Sequence, residues 1–521
     1  MRLAAIDLGT NSVHMVVANV TPDGRIEVID RVKEMVRLGQ RTFTTGMLST
    51  EAMELASQAL TNFGRLARVR RVERLRVVAT SAVREARNGE SFVRRLRRET
   101  GLPVQIISGA DEARLIFRAA RHALGLEGGP HLLVDVGGGS VELSLAQDGR
   151  PLWMRSLPLG VARLTQQFLL KDPPSTSQVR ALEDHLQREL DDLLTRVRRA
   201  GAVEAIGTSG TIHTLVAMAL AARVEDAPRL HGASATSEQV ARIRQRVLAL
   251  DAEERAEMPG MDAKRADLMP AAVVLLDTIL SRAGGLDLVA CSWALREGVL
   301  LDLARVSSAQ GPASLAGRRR SVQALATRYA GTNAHGRQVA SLALKLFDGL
   351  APDLGLPPSA RELLEHAALL HDIGHAIEHD RHQRHTYYLI RGSELLGFSP
   401  VEIEVIAQAA RGHRKQAPRI SAVDVQALPP ARRRLVRGLA ALLRVADALD
   451  RTHFGVIKEL QISRQRGRLV ITVDSGGENA ELELWAAERR VDLLARLLDR
   501  QVVMRARKAA RRLPERARVA R

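Results

Sequence analysis

One pattern occurs twice and constrains this chain more than any other. An apolar run, Leu3 to Ile6, leads into a tight polar turn, Asp7-Leu8-Gly9-Thr10-Asn11-Ser12, and then into a second apolar run, Val13 to Val17. The same order returns at Leu132-Leu133-Val134, Asp135-Val136-Gly137-Gly138-Gly139-Ser140 and Val141 to Leu145. Gly and Asn in a short polar link between apolar runs predict a hairpin. The two aspartates lie 128 positions apart, which is the size of a domain. The repeat therefore predicts a duplicated α/β domain, each copy opening on strand, turn, strand. Between the two openings, Glu51 to Leu66 and the basic Ser91 to Glu99 have helical spacing, while Leu75 to Ala79 and Val104 to Ile107 read as strands.

The second copy is expected to run to about residue 308, ending in Ser292-Trp293-Ala294-Leu295-Arg296-Glu297-Gly298. A loop with Gly311, Pro312 and Gly317, followed by Arg318-Arg319-Arg320, marks a boundary. The pattern is then helical to about residue 455. Strand alternation is predicted at Leu469 to Val473 and at Leu482 to Trp485, and a last helix at Val491 to Leu498. The expected organisation is thus residues 1–124 and 125–308 as the two copies, 316–455 as a helical domain, 456–510 as a small α+β domain and 511–521 as a basic tail.

Composition narrows the function classes. With 45% hydrophobic and 26% charged residues the chain is globular, and 521 residues allow roughly three or four domains. A single cysteine, Cys291, excludes an internal disulfide and an all-cysteine zinc cluster. No apolar run approaches the ~20 residues that span a bilayer, and Asp7 interrupts the N-terminal apolar stretch, so neither a membrane span nor a signal peptide is expected and the expected location is cytoplasmic. The 77 Lys and Arg against 59 Asp and Glu give a net charge of +18, and only seven of the cations are lysines. Guanidinium forks match phosphate oxygens two at a time, which points to a polyanionic partner. A GC-rich genome produces the same arginine excess.

The two turns carry chemistry suited to phosphate. Gly9, Gly137, Gly138 and Gly139 let the backbone approach an anion, successive N–H groups form an anion nest, and Thr10, Asn11, Ser12 and Ser140 add donors. Asp7 and Asp135 would repel a bare phosphate; a hard divalent cation such as Mg²⁺ between carboxylates and phosphate resolves this. Either turn alone reads as a plain hairpin with a polar tip; it is the matched pair that points to phosphate. A third element, Gly207-Thr208-Ser209-Gly210-Thr211, joins a strand, Val203 to Ile206, to a helix from Ile212, where free N–H groups and the helix dipole favour an anion or simply form an N-cap. In Ser108-Gly109-Ala110-Asp111-Glu112, Asp111 suits the helix dipole, and Glu112 is a candidate to orient and deprotonate a water. Arg84, soon after a strand, is a candidate to neutralise a transferred phosphoryl group, or a solvated surface arginine.

These segments together resemble the exopolyphosphatase / guanosine pentaphosphate phosphohydrolase (Ppx/GppA) family of the actin-like ATPase superfamily. The resemblance rests on residues 4–18, 80–86, 106–117, 132–145, 156–164, 207–211 and 292–300, in the family's order over the first ~305 residues. It implies two ribonuclease-H-like domains with the active site between them, Glu112 as the catalytic glutamate, Asp135 and Glu142 as acidic residues near the metal, and Arg84 and the glycine turns as phosphate contacts. It also implies Mg²⁺ or Mn²⁺ dependence, a homodimer and a link to the stringent response. The family often has Glu-Glu where this chain has Asp111-Glu112, which leaves the second position unchanged.

Six of the 15 histidines fall between His366 and His385, around Leu369-Leu370-His371-Asp372-Ile373-Gly374-His375. An adjacent His-Asp can place imidazole and carboxylate on one metal. His335 precedes it and Asp447 follows, with His379, His385 and His413 as further candidate ligands. The order His…His-Asp…Asp resembles the HD phosphohydrolase superfamily, an all-helical fold with a metal-centred site. His335, His371, Asp372 and Asp447 are therefore a candidate second divalent-metal site in an HD-type domain, the alternative being a histidine-rich helical core.

The expected activity is removal of terminal orthophosphate from inorganic polyphosphate, with guanosine pentaphosphate as the alternative substrate. A small-molecule kinase would use the same turns, and a non-catalytic polyanion- or alarmone-binding protein would use the same charge. Aromatic content of 3% speaks against base-stacking platforms, so no sequence-specific nucleic-acid binding is expected.

Overall fold

The computed structural model describes residues 1–22, 24–126, 128–221, 230–306, 315–331, 334–393, 395, 397–414 and 430–507. The basic tail at 511–521, together with Gly311 and Pro312 of the boundary loop, lies outside the described residues. The chain forms two units, Met1–Arg318 with Leu396–Pro400, and Arg319–Leu395 with Val401–Arg521.

The first unit is built on the repeat. Strands β1 (Arg2–Leu8), β2 (Ser12–Val20), β3 (Ile26–Met35), β4 (Arg74–Ala79) and β5 (Val104–Ile106) form a sheet in the order β3-β2-β1-β4-β5. Strands β6 (Pro130–Val136), β7 (Val141–Gln147), β8 (Arg150–Leu157), β9 (Glu204–Thr208), β10 (Ser234–Ala235) and β11 (Leu288–Ala290) form a second sheet, in the order β10-β11-β9-β6-β7-β8. Read from β8, the second sheet repeats the first, with β10 added at one edge. In each copy the first strand pairs antiparallel with the second and parallel with the fourth. The duplication extends to a defect: opposite Val17 and Ala18 in one copy and Leu145 and Ala146 in the other, equivalent places in the repeat, the third strand carries one extra residue, Ile29 and Leu152. This is the doubled ribonuclease-H-like arrangement.

The central strands of both sheets are buried on both faces, which explains why β1 and β6 read as almost continuous apolar runs; β7 is equally buried although Glu142 and Ser144 alternate with its apolar residues. One core lies within the first copy, around Ile6, Met15, Leu60 and Phe63. A second lies within the other copy, around Leu143, Leu186, Leu215 and Leu276. A third draws on both, bringing Leu3, Val16 and Leu115 together with Leu133, Trp293 and Val299. Helix Leu295–Leu303, late in the second copy, contributes to this shared core, and a Cβ on Gly298 would lie 2.1 Å from the Leu115 carbonyl. Asp302 on the same helix accepts from Arg76 and Arg118, at 3.0 and 2.9 Å.

The second unit is largely helical, with helices Ala334–Leu350, Ala360–Leu370, His382–Gly392, Pro400–Arg411 and Pro430–Ala448. It carries a small sheet in which β13 (Arg468–Asp474) pairs antiparallel with β12 (Glu459–Gln465) and parallel with β14 (Gln501–Ala506). The strand expected at Leu482 to Trp485 is instead part of helix Glu481–Glu488. Its alternation of Glu and Leu misleads because the buried positions are Glu483, Ala486 and Ala487, spaced three and four apart, while Leu482 and Trp485 point outward.

Candidate active site

Each copy carries an aspartate at the penultimate position of its first strand and turns back through glycine, and the two turns have the same internal geometry. Gly9 N–H donates to the Ser12 carbonyl at 3.1 Å, and Gly137 N–H to the Ser140 carbonyl at 3.0 Å. The carbonyls of both turns are engaged from behind. Those of Thr10 and Asn11 accept from Gly39, Val36 and Arg37; those of Gly137 and Gly138 accept from the first residues of helix Val161–Phe168, and Arg163 Nε donates to the Gly139 carbonyl at 3.0 Å. In a trans peptide the N–H points opposite to the C=O. Tying these carbonyls back therefore turns the N–H groups of Asn11, Ser12, Gly138, Gly139 and Ser140 the other way, and these residues line a cavity of about 500 Å³.

The turns meet face to face. A Cβ on Gly138 would lie 3.0 Å from Thr10 Cβ and 3.1 Å from Asn11 Nδ2, and one on Gly139 would lie 2.4 Å from Ser81 Oγ. No side chain fits between them. Asp7 and Asp135 sit at the base of the same cavity. Burial pushes the Asp7 carboxyl up to about 7, with Arg296 opposing and Asp135 adding to the rise, and its Oδ1 is buried without a hydrogen bond. Asp135 is also raised by burial, and there the Thr208 hydroxyl, which donates to it, opposes the shift.

Glu112 lines the cavity from the first turn of helix Gly109–Leu124, whose N-cap is the Ser108 hydroxyl. Arg84 Nη1 donates to Glu112 Oε2 at 2.9 Å and to the Ile107 carbonyl at 3.1 Å. Burial pushes Glu112 up to about 7 against the attraction of Arg84. Its surroundings also explain Gly109, where a Cβ would lie 2.6 Å from Ser156 Cβ.

Several sequence-predicted residues take other positions. Arg84 lines a neighbouring groove with Gly109, Met154 and Arg155, and its contact with the main cavity is the ion pair with Glu112. Glu142 pairs with Asp135 across β6 and β7 but is buried behind the wall, accepting from Ser156 Oγ at 2.7 Å; burial and the charge of Glu112 raise it well above the usual carboxylate range. Gly207 is inside β9 and serves packing, since a Cβ there would lie 2.6 Å from Ile212 Cγ2. Thr208 faces Asp135 rather than the cavity. Ser209 and Gly210 do line it, and the Ser209 side chain caps helix Gly210–Ala219. Asp111 is at the surface, hydrogen-bonded to Ser108 as its N-terminal position suggests.

The cationic wall was not legible from the motifs. Arg296 Nη1 donates to His14 Nδ1 at 2.9 Å, which makes His14 Nε2 the donor to Ser12 Oγ at 2.7 Å. Burial, then the Arg296 charge, hold His14 well below its usual range, so it is neutral. Arg265 crowds Gly210 so closely that a Cβ would lie 2.2 Å from Nη2, and Lys33, lowered by burial and by the charge of Arg265, lines the same cavity. The only signal for Arg296 was its place in the conspicuous 292–298 segment. Nothing local marked Arg265 or Lys33.

In the second unit the structure brings together the predicted quartet. His335 Nε2 and His371 Nε2 lie 3.4 and 3.5 Å from Asp447 Oδ1, and 3.8 and 3.6 Å from Asp372 Oδ2. Of the further candidates, His413 joins the cluster through Asp372, whereas His385 pairs with Glu378 and His379 stacks beside His375. His382, not singled out in the sequence, lies 3.1 Å from Asp372 Oδ1.

Residues 16–306 match the profile of the Ppx/GppA phosphatase family, and residues 318–487 that of Ppx/GppA phosphatase domain III. Among solved structures, an exopolyphosphatase from Cytophaga hutchinsonii is 28% identical with a TM-score of 0.55, covering 59% of this chain and 99% of its own. A Ppx/GppA family member from Aquifex aeolicus is 30% identical with a TM-score of 0.50, covering 58% and 98%. Among the described residues no helix is long and apolar enough to cross a membrane. A doubled fold with paired aspartate–glycine turns, matched over more than half its length, places this chain in the Ppx/GppA phosphatase family.

Proposed function

We propose that the chain hydrolyses the terminal phosphoanhydride bond of inorganic polyphosphate, releasing orthophosphate. The observation that carries this reading is the meeting of the two turns over a cavity into which Asp7, Asp135 and Glu112 all project. Backbone N–H groups of both turns, with Asn11, Ser12 and Ser140, would hold the terminal phosphoryl group, and Ser209 and Gly210 the phosphates behind it. Lys33, Arg265 and Arg296 supply cations along the same wall for a chain of phosphates. This basic lining supports polyphosphate; guanosine pentaphosphate presents the same terminal chemistry and is the alternative.

Glu112 would take the proton of the attacking water. A general base works best with a pKa near the working pH, and burial brings Glu112 there while Arg84 holds it in place and opposes a further rise. The residues fit a divalent cation, because a buried carboxylate oxygen without a hydrogen bond, Asp7 Oδ1, is the donor that Mg²⁺ or Mn²⁺ accepts. Asp7 and Asp135 would hold it, and it would offset phosphate charge as the bond breaks. Glu142, behind the wall, would act through its neighbours Ser156 and Glu112.

The test is a side-by-side phosphate-release assay on long-chain polyphosphate, guanosine pentaphosphate and ATP, with Mg²⁺ and with Mn²⁺. Rapid release from polyphosphate with no acceptor present is expected. Turnover only when an acceptor is added would replace this reading with a kinase, and preference for guanosine pentaphosphate would select the alternative substrate.

A further inference from the structure

The two turns of the cleft are held from behind by different means. In the first, the carbonyls of Thr10 and Asn11 accept from backbone N–H groups of their own copy, those of Gly39, Val36 and Arg37. In the second, the start of helix Val161–Phe168 lies directly on the turn: a Cβ on Gly160 would lie 2.3 Å from the Gly139 backbone. The N–H groups of Val161, Ala162 and Arg163 donate to the carbonyls of Gly137 and Gly138, at 3.0, 2.9 and 3.2 Å. The next carbonyl, that of Gly139, accepts from a side chain instead, Arg163 Nε at 3.0 Å.

The rest of that guanidinium is engaged by the other copy. Arg163 Nη2 donates to Glu85 Oε2 at 2.5 Å, and its Cζ stands 4.1 Å from the centre of the Phe43 ring. Ser81 Oγ donates to Glu85 Oε1 at 2.8 Å. Farther along the same helix, Gln166 Nε2 donates at 3.1 Å to the carbonyl of Gly39, whose N–H ties back the first turn at Thr10. Arg163 belongs to the second copy, and Phe43, Ser81 and Glu85 to the first. We propose that Arg163 is a positioning residue that makes the second turn's grip on phosphate depend on the first copy: it sets the Gly139–Ser140 peptide only while Glu85 and Phe43 hold its guanidinium.

A trans peptide carries its N–H and C=O on opposite sides. With the Gly139 carbonyl held outward, the Ser140 N–H faces the cavity that Ser140 lines. Turned over, the same peptide would aim a carbonyl oxygen at the phosphate and replace a donor by a repelling acceptor. Glycine at 139 has no Cβ to oppose that rotation, so the hydrogen bond from Arg163 must oppose it. A free arginine side chain spreads over many rotamers. Here a carboxylate fixes the guanidinium fork at one edge and an aromatic face covers its plane, and the side chain is buried, so little water competes. The first copy also abuts the turn itself, since a Cβ on Gly139 would lie 2.4 Å from Ser81 Oγ and 2.5 Å from Phe43 Cζ. Separation of the copies would remove these contacts and the anchor of Arg163 together. Phosphate binding and closure of the copies then favour one another.

This inference rests on the reading of the cleft as a phosphate site. The probe is orthophosphate, titrated with Mg²⁺ into the full chain by calorimetry, beside the rate of phosphate release from polyphosphate. Arg163→Gln should weaken orthophosphate by about 10- to 100-fold, the worth of one hydrogen bond to a charged group, and lower kcat/KM in parallel. Glu85→Ala decides between positioning and simple charge. Loss of an anion near the cleft would by charge alone tighten orthophosphate, whereas loss of the anchor should weaken it. The double variant should bind no more weakly than Arg163→Gln, because both residues act through one peptide. Phe43→Leu, which removes the aromatic face and keeps apolar bulk, should weaken binding in the same direction.

Each variant is shown to be folded by circular dichroism. Unchanged orthophosphate affinity in a folded Arg163→Gln, tighter binding in Glu85→Ala, or losses that add in the double variant would overturn the proposal. Should Arg163→Gln not fold, unchanged affinity in both Glu85→Ala and Phe43→Leu would do the same. An unaltered protein that binds no orthophosphate would overturn it together with the function proposed for the cleft; the variant outcomes overturn this inference alone.

Discussion

The two strand–turn–strand copies share a backbone and differ in what they place around it. In the first, the residue paired with Asp7 across the hairpin is His14, neutral and capped by Arg296. In the second, the residue paired with Asp135 is Glu142, buried and close enough to Glu112 to be raised by its charge. The first turn thus has beside it a cation contributed by the other copy, Arg296, and an unpartnered carboxylate oxygen, Asp7 Oδ1; the second has a carboxylate held by Thr208, with Glu142 buried behind it. Under the proposed function, duplication would supply two like grips on phosphate, and the cross-strand position would set a cation, Arg296, beside one turn and the proton-accepting Glu112 beside the other through Glu142.

The largest test of that division is at Glu112. Glu112→Gln should lower phosphate release by about 10³-fold, within the range expected for loss of a general base, while polyphosphate binding measured by filter retention is kept. Near-normal turnover would show that the acidic flank does not carry the proton. Next is the unequal support of the two aspartates. Thr208→Val removes the hydroxyl that orients Asp135 and should weaken divalent-metal activation by about 10- to 100-fold, read as the metal concentration needed for half-maximal rate. An unchanged metal requirement would make Thr208 a packing residue.

A smaller effect separates Arg84 from Glu112. With Glu112 near 7 and active when ionised, the rate should rise with pH through neutrality. Arg84 lowers that value by charge and hydrogen bond, so Arg84→Gln should move the acidic limb of the pH–rate profile to higher pH, with its defect greatest in acid and partly recovered in alkali. Parallel profiles for the two proteins would refute this link. The smallest effect concerns the turns themselves. Gly139→Ala forces a methyl into contacts of 2.4 Å with Ser81 and 2.5 Å with Phe43, whereas Gly9→Ala meets nothing closer than 3.1 Å. Overpacking typically costs about 1–3 kcal/mol, so Gly139→Ala should melt several degrees below Gly9→Ala. Equal melting temperatures would mean that the second turn is no more tightly enclosed than the first.

The repeat, the paired turns and Glu112 were legible because each is local: a strand that ends on Asp, a turn that needs glycine, a carboxylate in a helix's first turn. Other positions depend on contacts that no local pattern marks. Gly207 reads as a phosphate loop by composition but is a packing glycine under Ile212, a contact between strand and helix that no spacing rule reveals. Arg84, a candidate for the phosphate from its place after a strand, bonds Glu112, 28 positions away. The Glu-Leu-Glu-Leu run at 481–484 alternates like a strand, yet the core it faces selects every third or fourth residue.

What the residues determined unaided is the duplicated α/β framework and the kind of groups its turns present, since hairpins, caps and apolar periodicity depend on neighbours in the chain. Which cations would face those turns, which carboxylates are buried far enough to shift, and how His382 and His413 come to share Asp372 with His335 and His371 were decided only by tertiary structure. Those properties arise from distance and lost solvent between residues up to 282 positions apart, as in the contact of Arg296 with His14.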